Sequence, residues 1–171
     1  MASIARCLRV ARPSALSAVR SAARTAGARP FSITASNAIR KYTKEHEWID
    51  LSADKKTGVL GISEYAAKAL GDIVYVELPD EGREVQAGDA IGAVESVKSA
   101  ADINAPISCK ITQINLALEE KPGTINQVAE DDSHGGGWIA KVEVTEQGVK
   151  DLEGLMDLEA YKEFTATESE H

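Results

Sequence analysis

The sequence predicts a small, mainly β domain: a sandwich or flattened barrel with short peripheral helices. Three observations carry this reading. Short apolar–polar alternations recur at 57–62, 73–78, 91–97, 103–111 and 138–144, each bounded by turn-forming residues. Only 5% of the residues are aromatic, which suits a small sandwich or barrel. The chain's 171 residues suit one domain with additions, long enough to bury a real core.

The additions lie at the front. Residues 1–41 contain Arg6, Arg9, Arg12, Arg20, Arg24, Arg29, Arg40 and Lys41 and no acid; the first is Glu45. Setting those eight positive charges aside turns the chain's formal charge of −8 into −16 for residues 42–171. So acidic a body disfavours nucleic acid, whose phosphates need Lys and Arg, and suits basic partner surfaces. The leader is rich in Arg, Ser and Ala, and Arg6, Leu8, Arg9, Val10 and Arg12 fit a basic amphipathic helix. That is the composition of a mitochondrial transit peptide. Arg29-Pro30-Phe31-Ser32-Ile33-Thr34 is similar to a two-step matrix-processing site, which places the transit peptide at 1–38 and the working domain at 39–171. No run is long enough to span a bilayer.

The elements follow in order. Residues 42–49 read as an extended entry segment and the polar 50–56 as a hairpin turn. Thr57–Ile62 is a strand. Ser63 is a helix N-cap, Glu64 favours the positive helix end and Gly71 a stop, enclosing a helix of about two turns. Residues 73–78 form a strand that ends at the turn Pro79-Asp80-Glu81-Gly82. Val85 and 91–97 supply two more short strands around Gly88-Asp89. Residues 103–111 alternate as one half-buried strand, with Pro106 marking an edge or a break. Lys121-Pro122-Gly123 is a turn, 131–137 a polar Gly-rich loop, and Trp138, Ala140, Val142 and Val144 alternate as a last strand. Val149, Leu152, Leu155 and Met156 follow a helical period. Asp157 caps a final turn carrying Leu158 and Tyr161, and the polar tail after Phe164 is expected to fray. Val85…Gly92 and 105–108 flank 93–104 as a weak internal echo, which predicts two similar hairpins in a two-fold sandwich.

No catalytic set emerges. His46-Glu47-Trp48 lacks the second histidine of a zinc helix, and Gly135-Gly136-Gly137 precedes a strand rather than a helix, so neither zinc nor a phosphate loop is expected. His134 and His171 lie in polar segments and read as solvated. Cys7 falls in the leader. Cys109 shares the apolar face of Ile103, Ala105, Ile107 and Ile111 and reads as a buried thiol.

Lys98 is different. Alternation approaches it from one side and leaves it on the other, which puts its amine at a hairpin tip. Glu95 places an acid on the approaching strand. Ser96, Ser99, Ala100 and Ala101 are small and leave the amine open, and Val97 is expected to point inward and anchor the turn. A rigid sheet presenting one primary amine suits covalent attachment of a long cofactor. An ordinary solvated lysine is the alternative.

The flanks carry a resemblance. Glu95-Ser96-Val97-Lys98 resembles the lipoylation site of glycine cleavage system H proteins. Lys44-Glu45-His46-Glu47-Trp48, residues 71–79, Asn104-Ala105-Pro106-Ile107-Ser108, Ile125-Asn126 and Gly137-Trp138 are similar to that family's landmarks, in order, over 42–164. Two residues depart from it: Cys109 where the family often has glycine, and Tyr65 where it often has histidine. The hairpin alone would also fit acyltransferase lipoyl domains or biotin carriers, although the latter usually place methionines beside the lysine.

The resemblance implies the flattened barrel–sandwich hybrid of lipoyl and biotinyl carriers, sometimes called a hammerhead. It implies lipoate joined to Lys98 through an amide, with Glu95, Ser96 and Val97 read by the lipoyl transferase. It implies a non-catalytic shuttle in the mitochondrial matrix. An aminomethyl group would pass from the pyridoxal phosphate enzyme, the P protein, to the T protein, and electrons to the L protein, dihydrolipoyl dehydrogenase. Glu47 and Asp102, with Tyr65 nearby, would line a cleft for the loaded arm. A lipoyl relay serving the 2-oxoacid dehydrogenases is the alternative function.

Overall fold

The computed structural model describes residues 39–168. The expected transit peptide, its processing sequence, Cys7 and His171 lie outside the described residues. In chain order the elements are β1 (Ile39–Tyr42), β2 (Glu47–Leu51), β3 (Thr57–Ile62), α1 (Glu64–Leu70), β4 (Ile73–Glu77), β5 (Glu84–Val85), β6 (Ala90–Ser96) and β7 (Ala100–Asn104). They continue with β8 (Cys109–Ile114), α2 (Ala117–Glu120), α3 (Thr124–Val128), β9 (Ala140–Val144), α4 (Glu146–Asp151) and α5 (Leu158–Glu168). Two antiparallel sheets result, one ordered β1-β2-β3-β9-β8-β5 and the other β4-β6-β7. The domain is mainly β, as expected. The sheets are six strands against three rather than two matched halves. The echoing segments instead bond to each other: Gly88 N–H donates to Ala105 O and Ala105 N–H to Asp89 O, both at 2.8 Å.

The aliphatic core draws Ile49, Leu60 and Ile111 from the large sheet and Val76, Val94 and Ile103 from the small one. Period-two alternation makes this possible, because each strand turns every second residue inward. At Gly92 a side chain would lie 2.2 Å from the Glu77 carbonyl oxygen, so glycine lets β4 and β6 close up. A second cluster, aromatic, holds α5 to β1. Tyr42 stacks on Tyr161 at 4.3 Å between ring centroids, with Trp48 and Trp138 beside them.

Ser63 caps α1 as expected, its Oγ accepting from Ala66 N at 3.2 Å. Gly71 ends the helix at φ +80°, ψ −149°, a conformation open essentially to glycine alone. Asp157 likewise accepts from Ala160 N–H at 2.9 Å, but α5 runs on to Glu168 instead of fraying after Phe164.

Other expectations are corrected. The entry segment is not extended throughout: it turns at Lys44–His46, where His46 adopts φ +74°. Residues 103–111 do not form one strand. β7 ends at Asn104 in the small sheet, the chain crosses at 105–108, and β8 begins at Cys109 in the large one. Pro106 lies in that crossing, where no ladder needs its missing N–H. Cys109 is fully buried, and burial pushes its thiol up to about 12. Lys121-Pro122-Gly123 is a turn, as expected, but two short helices the sequence did not predict, α2 and α3, flank it. After α4 the chain tightens into a 3-10 turn at Leu152–Gly154, so Val149 is exposed while Leu152 is buried. Among the described residues, no helix is long and apolar enough to cross a membrane.

The crossing is pinned by Asp151. Its carboxylate accepts from Ser108 N–H at 2.9 Å, Ser108 Oγ at 2.6 Å and Gln147 Nε2 at 3.0 Å. Desolvation pushes its pKa up, but these hydrogen bonds outweigh it and hold the carboxyl below its ordinary value. A depressed folded-state pKa stabilises above the unfolded value, about 3.9 for Asp, and the contribution is lost as pH falls through the folded value. Asp151→Asn should therefore lower the melting temperature at pH 7, and the gap to wild type should narrow below about pH 4. Thermal melts at stepped pH check this.

Candidate functional site

The tip between β6 and β7 is a two-residue connection, Val97-Lys98, with Glu95 paired to Ala100 across it. Such connections usually need positive φ to match strand twist, and β-branched Val97 resists that. Neither loop residue takes positive φ. Ser96 supplies the compensation. Its Oγ accepts from Lys98 N at 3.1 Å and Ser99 N at 3.0 Å and donates to Ser99 O at 3.0 Å, while Ser96 N–H donates to Ser99 O at 2.8 Å. Ser96 is thus the turn's internal brace.

Val97 does not point inward; it is 67% exposed. The alternation that turns Ile91 and Val94 inward stops at the end of β6, so parity no longer predicts direction at the tip. What anchors the turn is backbone: Val97 N–H donates to Asp72 O at 3.1 Å, in the connection between α1 and β4. Lys98 is exposed, and no carboxylate among the described residues lies within ion-pair distance of it. Its side chain passes beside Gly71, where an added Cβ would sit 3.4 Å from both Lys98 Cε and Nζ. Any larger residue at 71 would crowd the amine.

Glu95 is exposed, in register with Tyr75 on β4. Asp102 is exposed on β7 opposite Ala93, about 13 Å along the strand from Lys98. Glu47, by contrast, is only 1% exposed. Its Oε1 accepts from Asn104 N at 2.9 Å and Asn104 Nδ2 at 3.1 Å, and Oε2 from Thr43 Oγ1. It ties β2 to the base of β7, two residues past Asp102. It also lines a cleft of about 360 Å³ with Thr43, Glu45, Asn104, Pro106 and Met156. Tyr65 lies elsewhere. Its ring packs on His46 at 4.8 Å, and His46 Nδ1 meets Tyr161 OH at 2.9 Å and Nε2 meets Glu168 at 3.2 Å. Six residues of helix put Tyr65 about 9 Å along the axis from Gly71 and the lysine. The fold therefore brings Glu95, Ser96, Val97 and Lys98 together at one tip, places Asp102 along the strand leading from it, and separates Glu47 and Tyr65 from the amine.

Sequence reasoning missed three supports of the tip: the Asp72 carbonyl, the closeness of Gly71 and the bracing Ser96 hydroxyl. A Ser two residues before a loop lysine is a readable local signal. The other two are tertiary and have none.

A β-rich carrier module that displays one unpaired lysine at a braced hairpin tip is the class these features define. Residues 40–168 match the glycine cleavage H-protein family model, and the chain belongs to that family. It is 45% identical to the glycine cleavage system H protein of Thermotoga maritima over 130 residues, 76% of this chain and 98% of the relative. It is 46% identical to the mitochondrial H protein of Saccharomyces cerevisiae over 123 residues, 71% of this chain and 69% of the relative. The crystal structure of the H protein from Mycobacterium marinum matches with a TM-score of 0.62 at 34% identity, covering 77% of this chain and 98% of that one.

Because Glu47 is buried and fully engaged, Glu47→Gln should destabilise the unmodified chain by about 1–3 kcal/mol, since an amide can no longer accept at both ends. Chemical denaturation checks this, with unchanged stability as the contrary result.

Proposed function

We propose that this chain is the lipoyl-bearing shuttle of the glycine cleavage system, with lipoate held by an amide on Lys98. The single observation that carries the reading is an exposed, unpaired lysine at a braced two-residue tip, inside the span that matches the family. The local chemistry fits the group. Acylation needs a free primary amine, no carboxylate among the described residues competes for it, and glycine at 71 keeps its surroundings open. When attached, lipoate supplies a thiol that carries the aminomethyl group and a dithiol–disulfide couple that carries electrons.

The chain's own residues do the rest. Ser96 braces the turn's internal shape, so that the amine leaves it from one fixed backbone. Glu95 and Val97 stand exposed on either side of Ser96 and are the contacts offered to the lipoyl transferase. Asp102 lies on the path an arm would follow along β7, placed to receive a cationic amine. Glu47 and Tyr65 shape the body behind that path, Glu47 by fixing Asn104 and Tyr65 by packing on His46. The P, T and L proteins are the partners, the chain itself catalyses none of their steps, and residues 1–38 direct it to the mitochondrial matrix.

Lys98→Arg should abolish lipoyl attachment and, in a reconstituted system, glycine cleavage. Arginine keeps the charge but cannot be acylated in the same way. Stability should change by no more than about 0.5 kcal/mol, as for other exposed tip substitutions. Glycine cleavage at the wild-type rate by this variant would overturn the assignment.

Asp102→Asn should speed spontaneous release of ammonia from the loaded chain while leaving the melting temperature of the unloaded chain unchanged. A carboxylate at a partly desolvated surface attracts the cationic amine more strongly than bulk water would allow. Equal release rates would remove Asp102 from the path.

A further inference from the structure

Asn126 belongs to a sequence landmark that the proposed function leaves unused. It lies in α3, yet its one side-chain amide spans the connection between α1 and β4. Oδ1 accepts from Ile73 N–H at 2.9 Å, and Nδ2 donates to Gly71 O at 2.7 Å and more weakly to Ala67 O at 3.4 Å. Gly71 O belongs to the peptide group before Asp72, and Ile73 N–H to the one after it. One amide therefore holds both peptide planes around Asp72.

The second plane also carries the Asp72 carbonyl. A trans peptide is planar, so fixing its N–H fixes the direction of its C=O. That oxygen accepts from Val97 N–H at 3.1 Å. Among the described residues, this is the hydrogen bond that joins the two loop residues of the lysine tip to another element. The Ser96 bonds set the turn's internal shape. They do not set its angle to the body. The first plane matters as well, because Gly71 is the surface against which the Lys98 methylenes lie.

We propose that Asn126 is a positioning residue for Lys98: through the Asp72 peptide group it orients the hairpin tip, and so aims the amine at the enzymes that modify and use it. This rests on reading Lys98 as the lipoyl attachment point. A merely structural role would be to cap the end of α1 by satisfying its last carbonyls.

The two roles separate by experiment on the full-length, unmodified chain. Amide hydrogen exchange by NMR in Asn126→Ala should show Val97 exchanging up to about tenfold faster, the worth of one net hydrogen bond, with Ser96 unchanged. Asn126→Asp keeps the acceptor for Ile73 N–H and should restore most of that protection. With a lipoate ligase, well below the melting temperature, Asn126→Ala should lower kcat several-fold at unchanged KM, because the docking surface survives and only the amine loosens. Unchanged Val97 exchange and unchanged kcat, with a lower melting temperature, would overturn the proposal and leave Asn126 as a helix cap. If the wild-type chain accepts no lipoyl group, the reading of Lys98 fails, and the exchange comparison still decides the role of Asn126.

Discussion

The antiparallel pairing of β6 with β7, closed by two residues, is the constraint on which the rest depends. A two-residue closure leaves the turn little internal freedom, and the Asp72 carbonyl on Val97 N–H ties it to the body. Val97 excludes the left-handed turns that strand twist prefers, and Ser96 makes up the loss with three hydrogen bonds from one hydroxyl. The small sheet is in turn held by core side chains, Val76, Val94 and Ile103, interleaved with those of the large sheet. On the proposed reading, a flexible lipoyl arm on Lys98 would then stand on a rigid stem. The stem sets where the arm begins, and tethering raises the local concentration of whatever it carries within a docked partner.

The buried polar groups share a pattern. Glu47, Ser108 with Asp151, and Ser63 with Tyr161 each join segments far apart in sequence, and each has partners for the groups it buries. Burying such groups unpaired would cost several kcal/mol, roughly, so they act as registers that only the right fold can satisfy. Glu47 illustrates how such a group can shape the strand that leads to the lysine tip without touching the amine. It fixes Asn104, the last residue of β7, and Asp102 stands two residues nearer the lysine.

Much of this was legible in the sequence. Strand β3 and helix α1 were readable to the residue, because Ser63 and Gly71 are strong local punctuation and the alternation before them is clean. Lys98 was legible for the same reason: the alternation breaks on both sides of it. The failures have physical causes. Residues 103–111 keep one inward parity while passing from one sheet to the other, so alternation cannot reveal the crossing, although Pro106 hints at it. Val97 lies one residue beyond the last strand position, where parity stops applying. Helices α2 and α3 have four and five residues, too short for a helical period to emerge. Glu47 and Asn126 were legible as landmarks but not as roles, since their partners lie 57 and 53 residues away.

The account stands or falls on what Lys98 carries. Intact-mass measurement of the protein isolated from its own cells, followed by mapping of the peptide that contains Lys98, tests this most directly. The account predicts a mass increase equal to one lipoyl group, localised to Lys98, on a chain beginning near Ile39. An unmodified Lys98, or a lipoyl group on another lysine, would contradict it.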